Sequence, residues 1–546
     1  LQGIATLSWL TGVPEYGYGI SSEVLRRITP KQVCIVIDVQ LKQEKMILYE
    51  WIKLNVMKIA AALSVVFLVI LVAIKVFFSL SYLPDLSGSE TSTIFPIQFL
   101  ADGRPIYSDP ENPPFRFTQY TPLYLVIASS FFKLTGWLPE EVHKVFVASR
   151  FLSLGFTLVT VCTVAWILTR FGKRKKIVGI LAGCLIFQIL GLWILTSSRP
   201  DSLMVFLTSL YVFAVFKALD SPAKSHFWYI LAIFISVSAF YVKQSGAIHS
   251  IALAVFCMHQ GQWKLLAKLI VSGLVFFLLY YLILPTDSVR IFSFNIIGGV
   301  ANSISWNWFY TWTLESLLLQ FAPLIICNFL ISIYLIARPS SDLYKFLSIS
   351  SLVFFASATA TAFKVGAGIG YYQDYLILAV IQITLFFTEP ARESWVEPKM
   401  IKAILAAYFV LVSIHCTLFV YMAYSKQPGD LYLHHYIKER DVADFLVKEK
   451  GLKKTDWVYV CDADRFQNVY LRHFLFRNIL VPFPDVVYLA DKNQIFGFEK
   501  FKRMTAGQEI RFIVAAKGET PKNILGYDFG NLKKIKSIDN YDIYEY

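Results

Sequence analysis

Hydrophobic runs long enough to cross a bilayer, roughly 20 residues apiece, follow one another from Lys58 to near residue 424. Read by length and apolar content, they fall at 58–80, 143–170, 177–196, 201–219, 227–243, 245–260, 264–284, 313–337, 343–363, 370–388 and 400–424. That pattern predicts about eleven spanning helices. A further apolar run, Pro122 to Leu134, has only about a dozen residues and reads as a re-entrant or interfacial segment. Beyond residue 430 apolar residues become intermittent. A helical repeat runs from Tyr436 to Lys450, and strand-like stretches follow at Trp457–Cys461, Arg511–Ala515 and Tyr541–Tyr546. The segment before Lys58 is polar and mixed, unlike a signal peptide, with one strand-like run from Val33 to Val39. Met46 and Met57 could each be a true start, and this segment is given no function. The expected organisation is an N-terminal segment (1–57), a membrane region (58–429) and a small α/β domain (430–546).

Composition supports that division. Of 546 residues, 56 % are hydrophobic and only 16 % are charged, where a soluble domain carries about a quarter. The net charge of +13 would suit a nucleic-acid binder, but in a spanning protein excess Lys and Arg marks cytoplasmic loops. The densest basic cluster is Arg170, Lys173, Arg174, Lys175 and Lys176, in a very short loop, which places that loop and the N-terminus in the cytoplasm. Residues 81–142 then lie outside, with seven acids against three bases. An odd number of spans puts residues 430–546 outside as well, with 19 Lys or Arg against 17 Asp or Glu. If Pro122–Leu134 crossed fully, the acidic loop and the basic cluster would share a side. The seven cysteines form no CxxC pair and no Cys/His cluster, so they read as small buried apolar residues.

Ionisable groups at the ends of spans are costly unless solvated or paired, so their positions carry information. Under this topology the unusual ones gather at the external face. Arg150 lies about two turns into the second span. Arg199 and Asp201 occupy the tight turn SSRPDS, Lys243 and Gln244 end the fifth span, and Lys364 and Asp374 bracket KVGAGIGYYQD. Glu90 begins SETSTIFPIQFLADG in the first external loop. Each alone suits a snorkelling side chain or a helix cap; the clustering points to a site.

Taken in order, GSETSTIFPIQFLADGRPIYSDPENPPF, QYTPLY (119–124), SRFLS (149–153), SSRPDSL (197–203), YVKQSG (241–246) and KVGAGIGYYQD (364–374) resemble the GT-C superfamily of membrane glycosyltransferases. The likeness is greatest to its dolichyl-phosphate-mannose-protein mannosyltransferase-like and aminoarabinose transferase-like members, and it covers about 58–425. The resemblance implies an all-α polytopic membrane protein of GT-C type with a small extracytoplasmic α/β C-terminal domain. It also implies transfer of a hexose or pentose from a polyprenyl phosphate, undecaprenyl or dolichyl, to an acceptor hydroxyl outside the membrane, in a prokaryotic plasma (inner) membrane. The acceptor, whether glycan, lipid or protein, is left open.

By the same resemblance, the acid early in the external loop is Glu90, a general base for the acceptor hydroxyl. Asp109 and Glu111 are alternatives, while Asp102 reads as part of a turn. Cations stabilise a leaving phosphate, and Arg199, Lys243, Lys364 and Arg150 are the candidates, Arg150 either helping or pairing with a carboxylate. Asp201, Gln244, Tyr120, Tyr371, Tyr372 and Asp374 are candidates for orienting these groups or binding sugar, although interfacial tyrosines commonly form a belt. No metal, no further cofactor and no nucleic acid is expected. Asp462 and Asp464 read as a turn, and His434–His435 as structural or interfacial. The competing reading is a transporter or flippase of an anionic polyprenyl-linked lipid, against which stands the lack of visible repeats.

Overall fold

The computed structural model describes residues 55, 58–86, 90–172, 176–191, 197–300, 303–388, 414, 418, 429–461, 468–526 and 528–546. The chain divides at Ile59, and Ala60–Tyr546 holds the elements analysed below. Among the described residues, eight helices are long and apolar enough to cross a membrane. With the shorter helices between them, the order is α1 (Lys58–Leu80), α2 (Thr91–Ala101), α3 (Pro122–Leu134), α4 (Val142–Phe171), α5 (Lys176–Gly191), α6 (Asp201–Asp220), α7 (Pro222–Val242) and α8 (Ala247–His259). There follow α9 (Trp263–Ile283), α10 (Val289–Ile296), α11 (Trp306–Ala337), α12 (Asp342–Ala362) and α13 (Ile369–Thr388).

Of the eleven expected spans, eight are these long helices. The expected spans at 177–196 and 245–260 are the shorter helices α5 and α8, of 16 and 13 residues. Gly246 and the 3₁₀ turn Gln244–Gly246 explain the second. A Cβ on Gly246 would lie 2.2 Å from the Ala239 carbonyl, so only glycine permits the sharp re-entry. The expected span at 400–424, the run Val33–Val39, most of the basic cluster and Asp462–Asp464 lie outside the described residues. α3 is a 13-residue helix within the 81–141 loop, its Thr121 hydroxyl donating to the Phe240 carbonyl.

Burial separates inner from outer helices. In α13, 78 % of the most apolar window is buried, against 6 % in α9, so α13 is central and α9 presents its sides outward. A polar knot fixes the centre. Gln382 of α13 accepts from Asn328 (2.7 Å) of α11 and donates to Ser348 (2.9 Å) of α12. Buried amide bonds of this kind hold helices together where apolar faces discriminate little between protein and lipid.

After the bundle come α14 (Gly429–Asp444) and a mixed sheet with strands β1 (Val458–Val460), β2 (Ile479–Leu480), β3 (Phe512–Ala516), β4 (Lys533–Ile538) and β5 (Tyr541–Glu545). The order is β2-β1-β3-β5-β4, parallel across the first three strands and antiparallel across the rest. Helices α15 (Val469–Phe474), α16 (Pro484–Lys492) and α17 (Glu499–Ala506) lie between the strands. The expected strands match β1, β3 and β5; β2 is two residues long, and β4 is written with lysines.

This region covers the 81–141 loop. Gln98 of α2 donates to the Pro139 carbonyl and pairs with His473 (2.7 Å) of α15, whose ring stacks on Phe95. Asp102 pairs with Arg477, and Val481 N–H donates to the Pro114 carbonyl. The sequence 92–99 is therefore buried throughout.

Candidate active site

The turn Ser197–Pro200 enters α6 with Asp201 as its first residue, a position where the helix dipole favours a carboxylate. Asp201 accepts from two cations: Arg199 Nε at 3.1 Å and Lys243 Nζ at 2.9 Å. Arg199 also donates to the Tyr120 hydroxyl at 3.3 Å, and Lys243 lies 4.7 Å from the Tyr371 ring centroid. The RPD sequence thus pre-positions an arginine and, through the aspartate, a lysine from another helix end. Each cation retains donors beyond those Asp201 accepts, since a guanidinium offers five and an ammonium three.

Tyr120, Arg199, Lys243 and Tyr371 line a cavity of about 1030 Å³. One wall comes from the bundle and its loops: Asp85, Gln119, Tyr120, Arg199, Lys243, Gln244, Lys364 and Tyr371. The opposite wall comes from the C-terminal region, including Arg472, Phe483, Pro484 and Tyr488. Burial, reinforced by the nearby Lys243 charge, lowers the Lys364 pKa to about 8. The lining also includes the apolar residues Ile251, Ile304 and Trp308; Ile251 and Ile304 are strongly exposed.

Glu90 is placed differently. It is fully buried and paired with Arg150, itself fully buried, through Nε (3.0 Å) and Nη2 (2.7 Å). Its two oxygens also accept from Ser198 N–H (2.6 Å) and Leu86 N–H (2.8 Å). Arg150 spends further donors on the carbonyls of Ser81 (3.1 Å) and Leu83 (2.6 Å). The pair therefore joins the end of α1, the start of α2, α4 and the Ser197–Pro200 turn. Glu90 is not among the residues that line the cavity, and Asp85 is. Glu90 N–H donates to both Asp85 oxygens at 3.2 Å, so the buried pair fixes the loop that carries Asp85.

The remaining candidates separate as follows. Asp109 and Glu111 occupy a turn away from the cavity; Glu111 accepts from Gly497 N–H at 3.1 Å. Gln244 donates to the carbonyls of Gln119 (2.6 Å) and Ile296 (2.9 Å) at the cavity wall. Tyr372 turns inward and donates to Thr359. Asp374 accepts from Thr208 at 2.6 Å and lines a second, small recess beside Lys243. His434 lies 3.7 Å from Asp539. Among the described residues no group of three His, Cys, Asp or Glu gathers as a metal site.

Sequence reasoning passed over Asp85, which it counted only as one acid of the external loop. The available signal was its place just past the end of a span, in YLPDLS, where a carboxylate meets the membrane surface. No comparable signal marked the C-terminal wall.

No protein-family model and no curated protein matches this chain. Solved structures do. ArnT from Cupriavidus metallidurans, bound to undecaprenyl phosphate, superposes with a TM-score of 0.56 at 12 % identity, over 88 % of this chain and 97 % of that one. An oligosaccharyltransferase from Archaeoglobus fulgidus, in complex with zinc and sulfate, gives 0.52 at 14 % identity, over 84 % and 68 %. The apo form of the same enzyme gives 0.53 at 11 % identity, over 85 % and 69 %. At such identities the likeness shows the fold alone: this chain shares its architecture with ArnT and with the archaeal oligosaccharyltransferase.

Proposed function

We propose that this protein is a glycosyltransferase that moves a sugar from a polyprenyl-phosphate carrier to an acceptor hydroxyl at the extracytoplasmic membrane face. The observation that carries the reading is the convergence of Arg199, Lys243 and Lys364 on one cavity that also holds the carboxylate of Asp85. Cations set beside a departing phosphate stabilise the charge that develops as the anomeric C–O bond breaks. Arg199 suits bidentate contact with phosphate oxygens, and the two lysines act as point charges. Asp85 takes the proton from the attacking hydroxyl. Glu90 and Arg150 hold Asp85 and the Arg199 turn in register, and Asp201 aims Arg199 and Lys243. Tyr120, Tyr371 and Gln244 border the sugar. The polyprenyl chain leaves past exposed Ile251 and Ile304. The undecaprenyl phosphate held by ArnT, a protein of the same architecture, supports a lipid phosphate as the donor's leaving group.

On the charge pattern of the loops, the reading places the N-terminus in the cytoplasm and residues 430–546 outside, in a prokaryotic plasma membrane. The test supplies purified protein with radiolabelled polyprenyl-phosphate sugars and extracted envelope material. Label passes to the acceptor fraction with the native protein and not with Arg199→Ala. Carrier movement across vesicles without label transfer would establish the flippase reading instead.

A further inference from the structure

Beside Lys243 lies a small recess of about 20 Å³ bordered by Lys243, Asp201, Asp374 and Gln373, room for a single water. Asp374, itself half-buried, begins a chain of short contacts that leads inward and that the donor site does not use. Its Oδ1 lies 2.6 Å from Thr208 Oγ1, which lies 2.8 Å from His249 Nε2, and His249 Nδ1 lies 2.9 Å from the Gly246 carbonyl. Both Thr208 and His249 are fully buried.

The protons can be counted. A carbonyl only accepts, so His249 Nδ1 carries a hydrogen. If Asp374 is ionised, the single Thr208 hydrogen goes to it; Nε2 must then donate to Thr208, and His249 is a cation. If His249 is neutral, Thr208 donates to Nε2, and Asp374 must carry the hydrogen between itself and Thr208. The weaker contact from Thr208 to the Met204 carbonyl at 3.1 Å only adds to the demand. In no assignment are Asp374 ionised and His249 neutral together. Around His249 the other neighbours are the rings of Tyr211 and Phe354, at 5.1 and 5.0 Å, neither of them a charge. Asp374 faces Lys243 and Asp201 across the recess, with Tyr371 at its rim. An uncharged acid and imidazole are cheaper to bury than a separated ion pair.

We propose that Asp374, Thr208 and His249 share one proton that rests on Asp374, so that Asp201 alone supplies negative charge to Lys243 and the lysine stays available to an anionic donor. The first clause stands on the contacts; the second rests on the donor site proposed above. Asp374 is a positioning residue here, acting through Lys243. Loss of the proton would set a second carboxylate within one water of the ammonium and draw it away from phosphate.

Infrared spectroscopy of the purified protein tests the first clause. The carbonyl band of a protonated carboxyl is expected at neutral pH and disappears in Asp374→Asn. If that variant does not fold, His249→Phe serves: Thr208 is then free to donate to an ionised Asp374, and the band is lost. A native spectrum without the band overturns the proposal. Undecaprenyl phosphate titrations in lipid nanodiscs test the second clause. Where the band titrates away, the native affinity falls with pH one proton more steeply than that of Asp374→Asn, because ligand binding and proton binding are linked. Equal slopes overturn the coupling to Lys243. A native protein that shows the band but binds no undecaprenyl phosphate sinks the donor reading and the coupling with it, while the proton count stands.

Discussion

The two ends of the helix bundle are built on different principles. One end is made of tight connections: the 3₁₀ turn Pro222–Lys224, the short turn before Trp263 and the break between Ala337 and Asp342. Its recorded side-chain contact between connections is modest, an exposed Gln260–Asp342 hydrogen bond. The other end carries the 81–141 loop, the Ser197–Pro200 turn, Lys243, Lys364 and the sheet region. There ion pairs are buried, and neighbouring elements share them. Charge is expensive to bury, and among the described residues the buried ion pairs lie at one end only. The proposed site draws on that difference, because polar groups that served only to cap helices would be divided between both ends.

Substitutions at the two ends put that contrast to the test. Asp85→Asn gives the largest effect, a fall in turnover of roughly 10²–10⁴ with donor binding retained. Retained turnover would move the base elsewhere, with Glu90 the next to examine. Glu90→Gln leaves Arg150 buried without its countercharge and costs about 3–5 kcal/mol of stability, read as a lowered Tm. If Tm held while turnover fell, Glu90 would be the reacting carboxylate after all.

Lys364→Met weakens undecaprenyl phosphate binding by about tenfold below pH 8. The sign follows from the lowered pKa: Lys364 is charged below about 8 and neutral above it, so native affinity falls as pH rises through that value. The methionine variant lacks this part of the profile, as titrations across the range will show. At the opposite end, Gln260→Ala changes stability by no more than about 0.5 kcal/mol and leaves transfer intact; a loss of transfer there would undo the contrast itself.

Most residues of the proposed site stood out in the sequence because membrane physics makes polar residues conspicuous. Arg199, Asp201, Lys243, Gln244, Lys364 and Asp374 stand at the ends of long apolar runs, where a charged letter has few explanations. The same logic picked out Arg150 and left open whether it paired with a carboxylate; the structure supplies Glu90 as the partner. The choice between acids was not legible. Glu90, Asp85, Asp109 and Glu111 are near neighbours in one loop, and composition cannot say which of them is enclosed by an arginine and which faces the cavity. Asp85 and Glu90 are five positions apart, yet one lines a cavity wall and the other sits in a sealed ion pair. The C-terminal wall was illegible for another reason: Phe483, Pro484 and Tyr488 are ordinary residues of a small α/β region, and only docking over the loop gives them a role.

Sequence alone determined that this is a polytopic membrane protein with a small mixed domain after its spans, and that its unusual charges share one face. Those conclusions rest on the cost of placing charge in hydrocarbon, which acts on every residue locally and so leaves its mark in the order of letters. The tertiary structure decided which charges pair, which line the cavity, and how Asp374 is coupled to His249. Such pairings join residues dozens to hundreds of positions apart, as with Gln98 and His473, and the free energy that selects them depends on contact geometry that no local pattern contains.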